Sequence, residues 1–468
     1  MWKRFRVAVC WTACLAKAAA AAMAVGPAGV AQDAEAPALS IASDPRPRTA
    51  AAWPRHVIDN ASRGADGIRL GDMNADGYPD IITGWEQGGQ VRVAVNPGPG
   101  GARTPWPTLD AGRAPDVEDA AWVDLDGDGC LDAISCSEGA TRRMSVHWGI
   151  PGAAGPQDAP GRPGARTHGS SANRFRWRPD EPAGTIPATA WRTEVLPPAA
   201  GVMMWMFCAP MDVDGRWGID LVAGGKGKGA ALGWWAAPPN PRALDRWTWH
   251  PWRPAGWIMT VRPIDMDGDG DLDVLFSDRK GERRGCYWLE NPAPADPLEP
   301  VWREHPIGGA DREVMFIDVA DLDGDGKEDV LAAAKPRLIM FLRRLTADGR
   351  QWLEHPIEVP ADAGTAKAVA AGDLDQDGRL DLVFTTEGST GGRHGVMALE
   401  PRPSALDGGW DARTISGVDG IKHDLVRLLD LDGDGDLDVL TCEETRNLGV
   451  IWYENPAVRR PGWPDGRD

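Results

Sequence analysis

Short apolar runs recur along this chain, each broken by a dense knot of acids and glycines. Val314-Met-Phe-Ile317 and Leu425-Val-Arg-Leu-Leu429 lead into such knots, while Asp80-Ile-Ile82 and Asp273-Val-Leu-Phe276 lead out of them. Runs this short, rich in β-branched residues and bounded by Gly, Pro and Asn, predict strands rather than helices. Two more segments complete each unit. One closes in Cys286-Tyr-Trp-Leu-Glu-Asn-Pro292 or Val450-Ile-Trp-Tyr-Glu-Asn-Pro456. The other opens on tryptophan, as in Trp53-Pro-Arg-His-Val-Ile58, Trp302-Arg-Glu-His-Pro-Ile307 and Trp352-Leu-Glu-His-Pro-Ile357. The predicted unit is four short strands, with the acidic knot between the first two.

Seven knots align, starting at Asp72, Asp124, Asp212, Asp265, Asp321, Asp373 and Asp430, with starts 52, 88, 53, 56, 52 and 57 residues apart. The one long gap contains a Pro/Gly-rich insert at about 151–190. Seven four-stranded units at one period predict an all-β fold, a seven-bladed β-propeller. The first Trp segment precedes the first knot, and the last unit stops at its third strand. The Trp53–Ile58 strand is therefore expected to complete the blade begun near Leu425, removing an open sheet edge.

Asp430-Leu-Asp-Gly-Asp-Gly-Asp-Leu-Asp438 shows the chemistry of a knot at its clearest. Carboxylates stand at positions 1, 3, 5 and 9 of a tight loop, with Gly435 at position 6. Charges this close repel one another unless a cation sits among them, and oxygen-only donors on a flexible loop favour Ca²⁺. An array of EF-hands fails as an alternative. Position 12 holds Thr83, Ser135, Phe276, Ala332, Phe384 or Thr441 instead of the bidentate Glu, and the exit reads as strand.

The D-x-D-x-D-G-x-x-D loops at this period, with the W-Y-E-N-P strand ending, resemble the FG-GAP/VCBS repeat family, which includes the integrin α propeller and secreted bacterial proteins. The resemblance spans about Trp53 to Pro456. It implies Ca²⁺ loops between the first and second strands of the blades, with side chains 1, 3, 5 and 9 and the carbonyl of position 7 as ligands. Carried over, the ligands are Asp72, Asn74, Asp76 and Asp80; Asp124, Asp126, Asp128 and Asp132; Asp265, Asp267, Asp269 and Asp273; Asp321, Asp323, Asp325 and Asp329; Asp373, Asp375, Asp377 and Asp381; and Asp430, Asp432, Asp434 and Asp438. The third loop departs from the pattern. Arg216 holds position 5 and Trp217 replaces the glycine, so the guanidinium is expected to pair with Asp212, Asp214 or Asp220 in place of a metal. About six sites, mainly structural, are expected.

Composition adds location. Lys3, Arg4 and Arg6 precede an Ala-rich apolar stretch from Val7 to Val25, and Gly29 and Ala31 follow as small residues. Residues 1–31 read as an export signal, which implies a secreted or periplasmic protein. Residues 32–52 read as a flexible linker, 53–456 as the propeller and 457–468 as a tail. No long apolar run follows the leader, so no membrane span is expected. The formal charge of −19 argues against nucleic acid, although six loops each holding Ca²⁺ would bring it to −7. Cys130, Cys136, Cys208, Cys286 and Cys442 lack metal-type spacing and read as packed free thiols. A monomer is expected.

Function is then expected on the face opposite the acidic loops, where two other loop sets gather. One carries Glu86, Glu138, Lys226, Asp278-Arg-Lys280, Lys335, Glu387 and Glu443-Glu444. The other carries Glu118, Asp119, Met204, Trp205, Trp257, Arg312, Glu313, Lys367, Lys422, His423 and Asp424. Ligand candidates are Glu118, Asp119, Trp205, Trp257, Arg312, Lys367 and Asp424. His423, Glu313 and Lys422 are the candidates for proton transfer. The expected activity is a module binding carbohydrate or another extracellular macromolecule, such as a protein ligand. A sugar lyase, dehydratase or hydrolase is the enzymatic alternative, and an adhesion module the third reading. His56, His250, His305 and His355 recur at one offset after the blade Trp, which predicts a structural hydrogen bond.

Overall fold

The computed structural model describes residues 51–152, 183–185, 187–292 and 302–456. The expectations for residues 1–31, for most of the linker and insert, and for 457–468 lie outside them. Within the described residues the chain forms seven four-stranded antiparallel sheets. Blade one runs Ala65–Gly71, Asp80–Trp85, Gln90–Ala94 and Thr108–Arg113, and the next five blades repeat this order. Blade seven takes three strands from the end of the chain, His423–Leu429, Asp438–Glu443 and Gly449–Tyr453. Its fourth is Arg55–Asp59 from the beginning, with His56 opposite Trp452. The first strands of neighbouring blades touch all the way round, including blade seven against blade one, so the ring closes.

Burial falls outward across each blade. Second strands such as Asp132–Ser137 and Asp438–Glu443 are buried at every residue, because neighbouring blades cover both of their faces. They read as continuous apolar runs for that reason. Fourth strands such as Ala188–Val195 are largely exposed. Blade contacts are close: a Cβ on Gly71 would stand 2.6 Å from the Trp122 ring of blade two.

The recurrent tryptophans lock blade to blade. Trp288 of blade four donates its indole N–H to Gly349 O of blade five at 3.0 Å, and Trp452 of blade seven donates to Ala102 O of blade one at 3.1 Å. The recurrent histidines do more than hydrogen-bond. His56 stacks on Trp452, His250 on Trp234 and His305 on Trp288, with ring centroids 4.4–4.8 Å apart. Only His56 and His305 add a glutamate, Glu454 at 2.8 Å and Glu290 at 2.6 Å. Stacking is shared by three of the four, with the hydrogen bond an addition in two blades; His355 instead lies tilted against Phe341, centroids 5.4 Å apart.

Every first strand also carries a register shift against its second strand near its starting end, for example between Val117 and Asp119 and between Ala366 and Ala368. Such bulges turn side chains out of the regular alternation. Here they sit at the propeller mouth.

Replacing Trp452 with Ala removes a fully buried indole, its stack and its hydrogen bond at the closure. The expected loss is about 3–5 kcal/mol by denaturant titration. Exposed Trp217→Ala is expected to change stability by less than about 0.5 kcal/mol. Equal effects would contradict the closure's importance.

Candidate functional site

The acidic loops share one hydrogen-bonded frame. The position-9 carboxylate accepts the N–H of the residue at position 2 in all seven loops, for example Leu431 N to Asp438 at 3.0 Å and Met266 N to Asp273 at 2.8 Å. In six of them its other oxygen accepts an N–H at the end of the third strand, such as Asn455 N or Asn291 N. The position-1 carboxylate takes the N–H of the position-6 glycine, which lies at positive φ, as at Gly435 (φ 97°). Loop three keeps both position-9 bonds but loses the position-1 bond. Trp217 stands where the glycine should be, Gly215 N bonds Asp212 instead, and Arg216 approaches Asp214 to 4.0 Å.

The donor set suits a hard divalent cation. Asp124, Asp126 and Asp132 each place a carboxylate oxygen within 4.8 Å of the others, as do Asp265, Asp267 and Asp269. Asp124 Oδ1 is buried with no hydrogen-bond partner. Burial pushes the position-9 carboxyls up, to about 7 for Asp80, Asp132, Asp220, Asp273 and Asp381, about 6 for Asp329 and about 8 for Asp438. Sequence reasoning missed the arginines set against these loops. Arg103 of blade one contacts Asp432 of blade seven, Arg242 of blade three contacts Asp126 of blade two, and Arg343 contacts Asp323. A groove of about 180 Å³ also lies on this side, between loops five and six, lined by Asp321, Asp323, Arg379 and Ser404.

The opposite face carries a ring of charge to which every blade contributes, ion-paired from blade two round to blade seven. Asp424 pairs with Lys367, and Lys335 pairs with Glu387. Glu313 pairs with Arg279 at 2.9 Å, and Arg279 lies 4.4 Å from the Trp257 ring centroid. Lys226 lies equally close to that ring and pairs with Glu118 at 3.4 Å and with Glu138. Glu86 and Asp66 then lead back to Asp424 and to Lys422, which pairs with Glu444. Glu118, Lys367 and Asp424 fall inside the first-strand bulges, which explains their aim. Beneath the circuit the axis is filled: Phe207 of blade three meets Phe316 of blade five edge-on at 5.4 Å, although these blades are not neighbours.

The circuit splits the acidities of two adjacent carboxyls. Burial and the nearby Asp424 charge drive Asp66 well above the usual carboxylate range. Asp424 is equally buried, but Lys367 and Lys422 more than offset that and hold it low. The two carboxyls act directly on one another, so one is suited to donate a proton and the other to accept one.

The structure brings Glu118, Trp257, Glu313, Lys367, Lys422 and Asp424 together as expected, but sends four other candidates elsewhere. Trp205 is fully buried against Trp235 and Trp249, donating to Ala199 O. Arg312 turns to Glu354 on its blade's fourth strand. Asp119 is buried and clamped by Arg69 at 2.9 and 3.1 Å. His423, expected as a proton-transfer group, is completely enclosed near Tyr453 Oη at 3.5 Å, and burial pushes it down to about 4. It is a neutral packing histidine. The residue missed was Asp66, although it stands six residues before its loop as Glu118, Lys367 and Asp424 do before theirs; Arg279 was placed among the mouth loops but not among the candidates.

The FG-GAP-like repeat family model matches residues 72–135 and 321–384. Each match opens at position 1 of an acidic loop and ends in the second strand of the next blade. The comparison with curated proteins finds no match. Similar solved structures include a luciferin-regenerating enzyme (10% identity, 78% of this chain and 98% of that one, TM-score 0.39). The BBS1N chain in complex with ARL6DN is similar at 10% identity over 86% and 96%, with TM-score 0.44. Virginiamycin B lyase from Staphylococcus aureus is similar at 9% identity over 86% and 98%, with TM-score 0.43.

The raised position-9 carboxyls predict a pH dependence. Their folded values exceed the ordinary 3.8, so the cation-free folded state binds the extra protons and loses stability as pH rises from about 4 to about 8. His147 and His423, both pushed down to about 4, act oppositely below about 6.5, but they are two groups against seven. In chelator, the melting midpoint is expected to fall between about pH 5 and pH 8. A rising midpoint would contradict this.

Proposed function

We propose, for a chain that carries FG-GAP-like repeats on a seven-bladed propeller, an exported binding module braced by Ca²⁺ in its regular acidic loops and engaging a charged macromolecule through the opposite face. One observation carries the ligand reading: the ring of charge over the Phe207–Phe316 contact, ion-paired in blades two to seven and joined by the Glu86 and Asp66 carboxyls of blade one. Paired charges fixed around the ring suit recognition by complementary charge, which sets orientation and on-rate. The aromatic platform expected for neutral sugars is missing from the candidates. Trp205 is buried, and Lys226, Arg279 and Lys280 crowd the Trp257 ring. An extracellular protein or a charged polysaccharide therefore fits better than a neutral glycan.

Calcium would be held by Asp430, Asp432, Asp434 and Asp438 and their counterparts in loops one, two, four, five and six. Its part is to neutralise loop carboxylates and fix the link from first to second strand. Loop three, without the glycine and with Arg216, is left out. A second reading rests on the Asp66–Asp424 pair, whose divided acidities would serve acid–base chemistry on a bound polysaccharide.

Calorimetric titration of chelator-treated protein is expected to show Ca²⁺ uptake and a higher melting midpoint, with both reduced in Asp432→Asn. Equal melting with and without chelator would remove the brace. For the ligand, wild type and Lys226→Glu are compared on an array of glycans and extracellular proteins at two salt concentrations. Binding is expected to weaken with salt and to lose about 1–3 kcal/mol in the variant. Salt-independent binding unaffected by the substitution would exclude this face. Turnover abolished by Asp66→Asn with binding intact would favour the enzymatic reading.

A further inference from the structure

Two buried thiols meet between blades. Cys136 lies in the second strand of blade two, Asp132–Ser137, and Cys208 in the first strand of blade three, Met204–Met211. Those strands pack against each other, and both cysteines belong to one enclosed apolar cluster with Met144 and Trp205. Within it the Cys136 and Cys208 side chains are hydrogen-bonded to one another. The Arg69 guanidinium of blade one, clamped on Asp119, lies near both sulfurs.

Both are free thiols in this structure, and their placement, neighbouring side chains on separate sheets held by packed strands, is what a cross-link between adjacent blades requires. We infer that Cys136 and Cys208 close a disulfide that fastens blade two to blade three when the chain folds in the presence of a disulfide oxidant. The thiolate of one cysteine attacks the oxidant's S–S bond, giving a mixed disulfide and releasing one thiol. The second cysteine then attacks the mixed disulfide and releases the other. Two thiols of this chain lose two protons and two electrons, and the oxidant's sulfurs take up both. The neighbouring Arg69 cation favours the attacking thiolate, whereas burial disfavours it and bars access in the closed fold. Bridging therefore occurs as the two blades dock. The cross-link stabilises chiefly by restricting the unfolded chain. It does not depend on the ligand or calcium readings.

The full chain, refolded in mixed oxidised and reduced glutathione, is unfolded in alkylating reagent and weighed. The expected mass shows two fewer alkylated thiols than the reduced control, and a digest joins the Cys136 peptide to the Cys208 peptide until reduction. A reductant is expected to lower the melting midpoint of wild type but not of a Cys136→Ala/Cys208→Ala variant. Full alkylation after oxidative refolding, or a bridge between other cysteines, overturns the inference. Should the variant fail to fold, the wild-type peptide map decides alone.

Discussion

Each blade is tied by one buried carboxylate. The ninth residue of the acidic loop is almost wholly enclosed in every copy, from Asp80 to Asp438. It joins the start of its own loop to the end of the third strand, so a single side chain sets the spacing of three strands in most blades. Removing an ionised carboxyl from water costs several kcal/mol, and two backbone N–H donors offset only part of that. The residual strain appears as acidities near neutrality. Cations among the outer carboxylates, as proposed, would supply the missing compensation. The arginines reaching Asp126, Asp323 and Asp432 from neighbouring elements already supply some, and two of them cross between blades.

The fold was legible because its signal is local and repeated. A carboxylate loop with its glycine, entered and left by strands, is a short-range pattern, and its recurrence fixed the blade number and the faces on which the loops lie. Ring closure followed from a strand left over at one end and missing at the other. Histidine stacking on the third-strand tryptophans was half legible: the offset showed in the sequence, but whether the ring would stack or bond depends on the cross-strand neighbour, Trp452 for His56 and Trp288 for His305.

The mouth was legible only as a face. Which loops gather there follows from topology, but which side chains point inward depends on the bulge in each first strand, and one residue of slip reverses a side chain's direction. His423 and Asp424 are adjacent in sequence and in the same strand, yet one packs as a neutral core ring beside Tyr453 and the other pairs with Lys367. Trp205 and Trp257 stand one residue apart in the approach to their blades, and the first turns into a tryptophan cluster while the second meets cations. Arg279 was legible as a mouth residue, but its partner, Glu313, belongs to the next blade and shows only in the structure.

Mutual pairing constrains what this face can recognise. A circuit in which most acids already hold a base presents a fixed pattern of charge, so a ligand must match positions as well as sign. Exchange of partners is costly where both members are buried, as at Asp424 and Lys367, and cheaper at Glu313, which is about a third exposed. Recognition is therefore concentrated at the exposed members, while the buried ones hold the pattern in register. The same split separates the two faces of the ring. Repeated loops on one side give seven near-identical ties, whereas on the other the equivalent position, six residues past the ninth of each loop, is Glu in four blades, Lys in two and Arg in one. Specificity belongs to the irregular side, since a chemistry repeated in every blade cannot distinguish one orientation of a ligand from another.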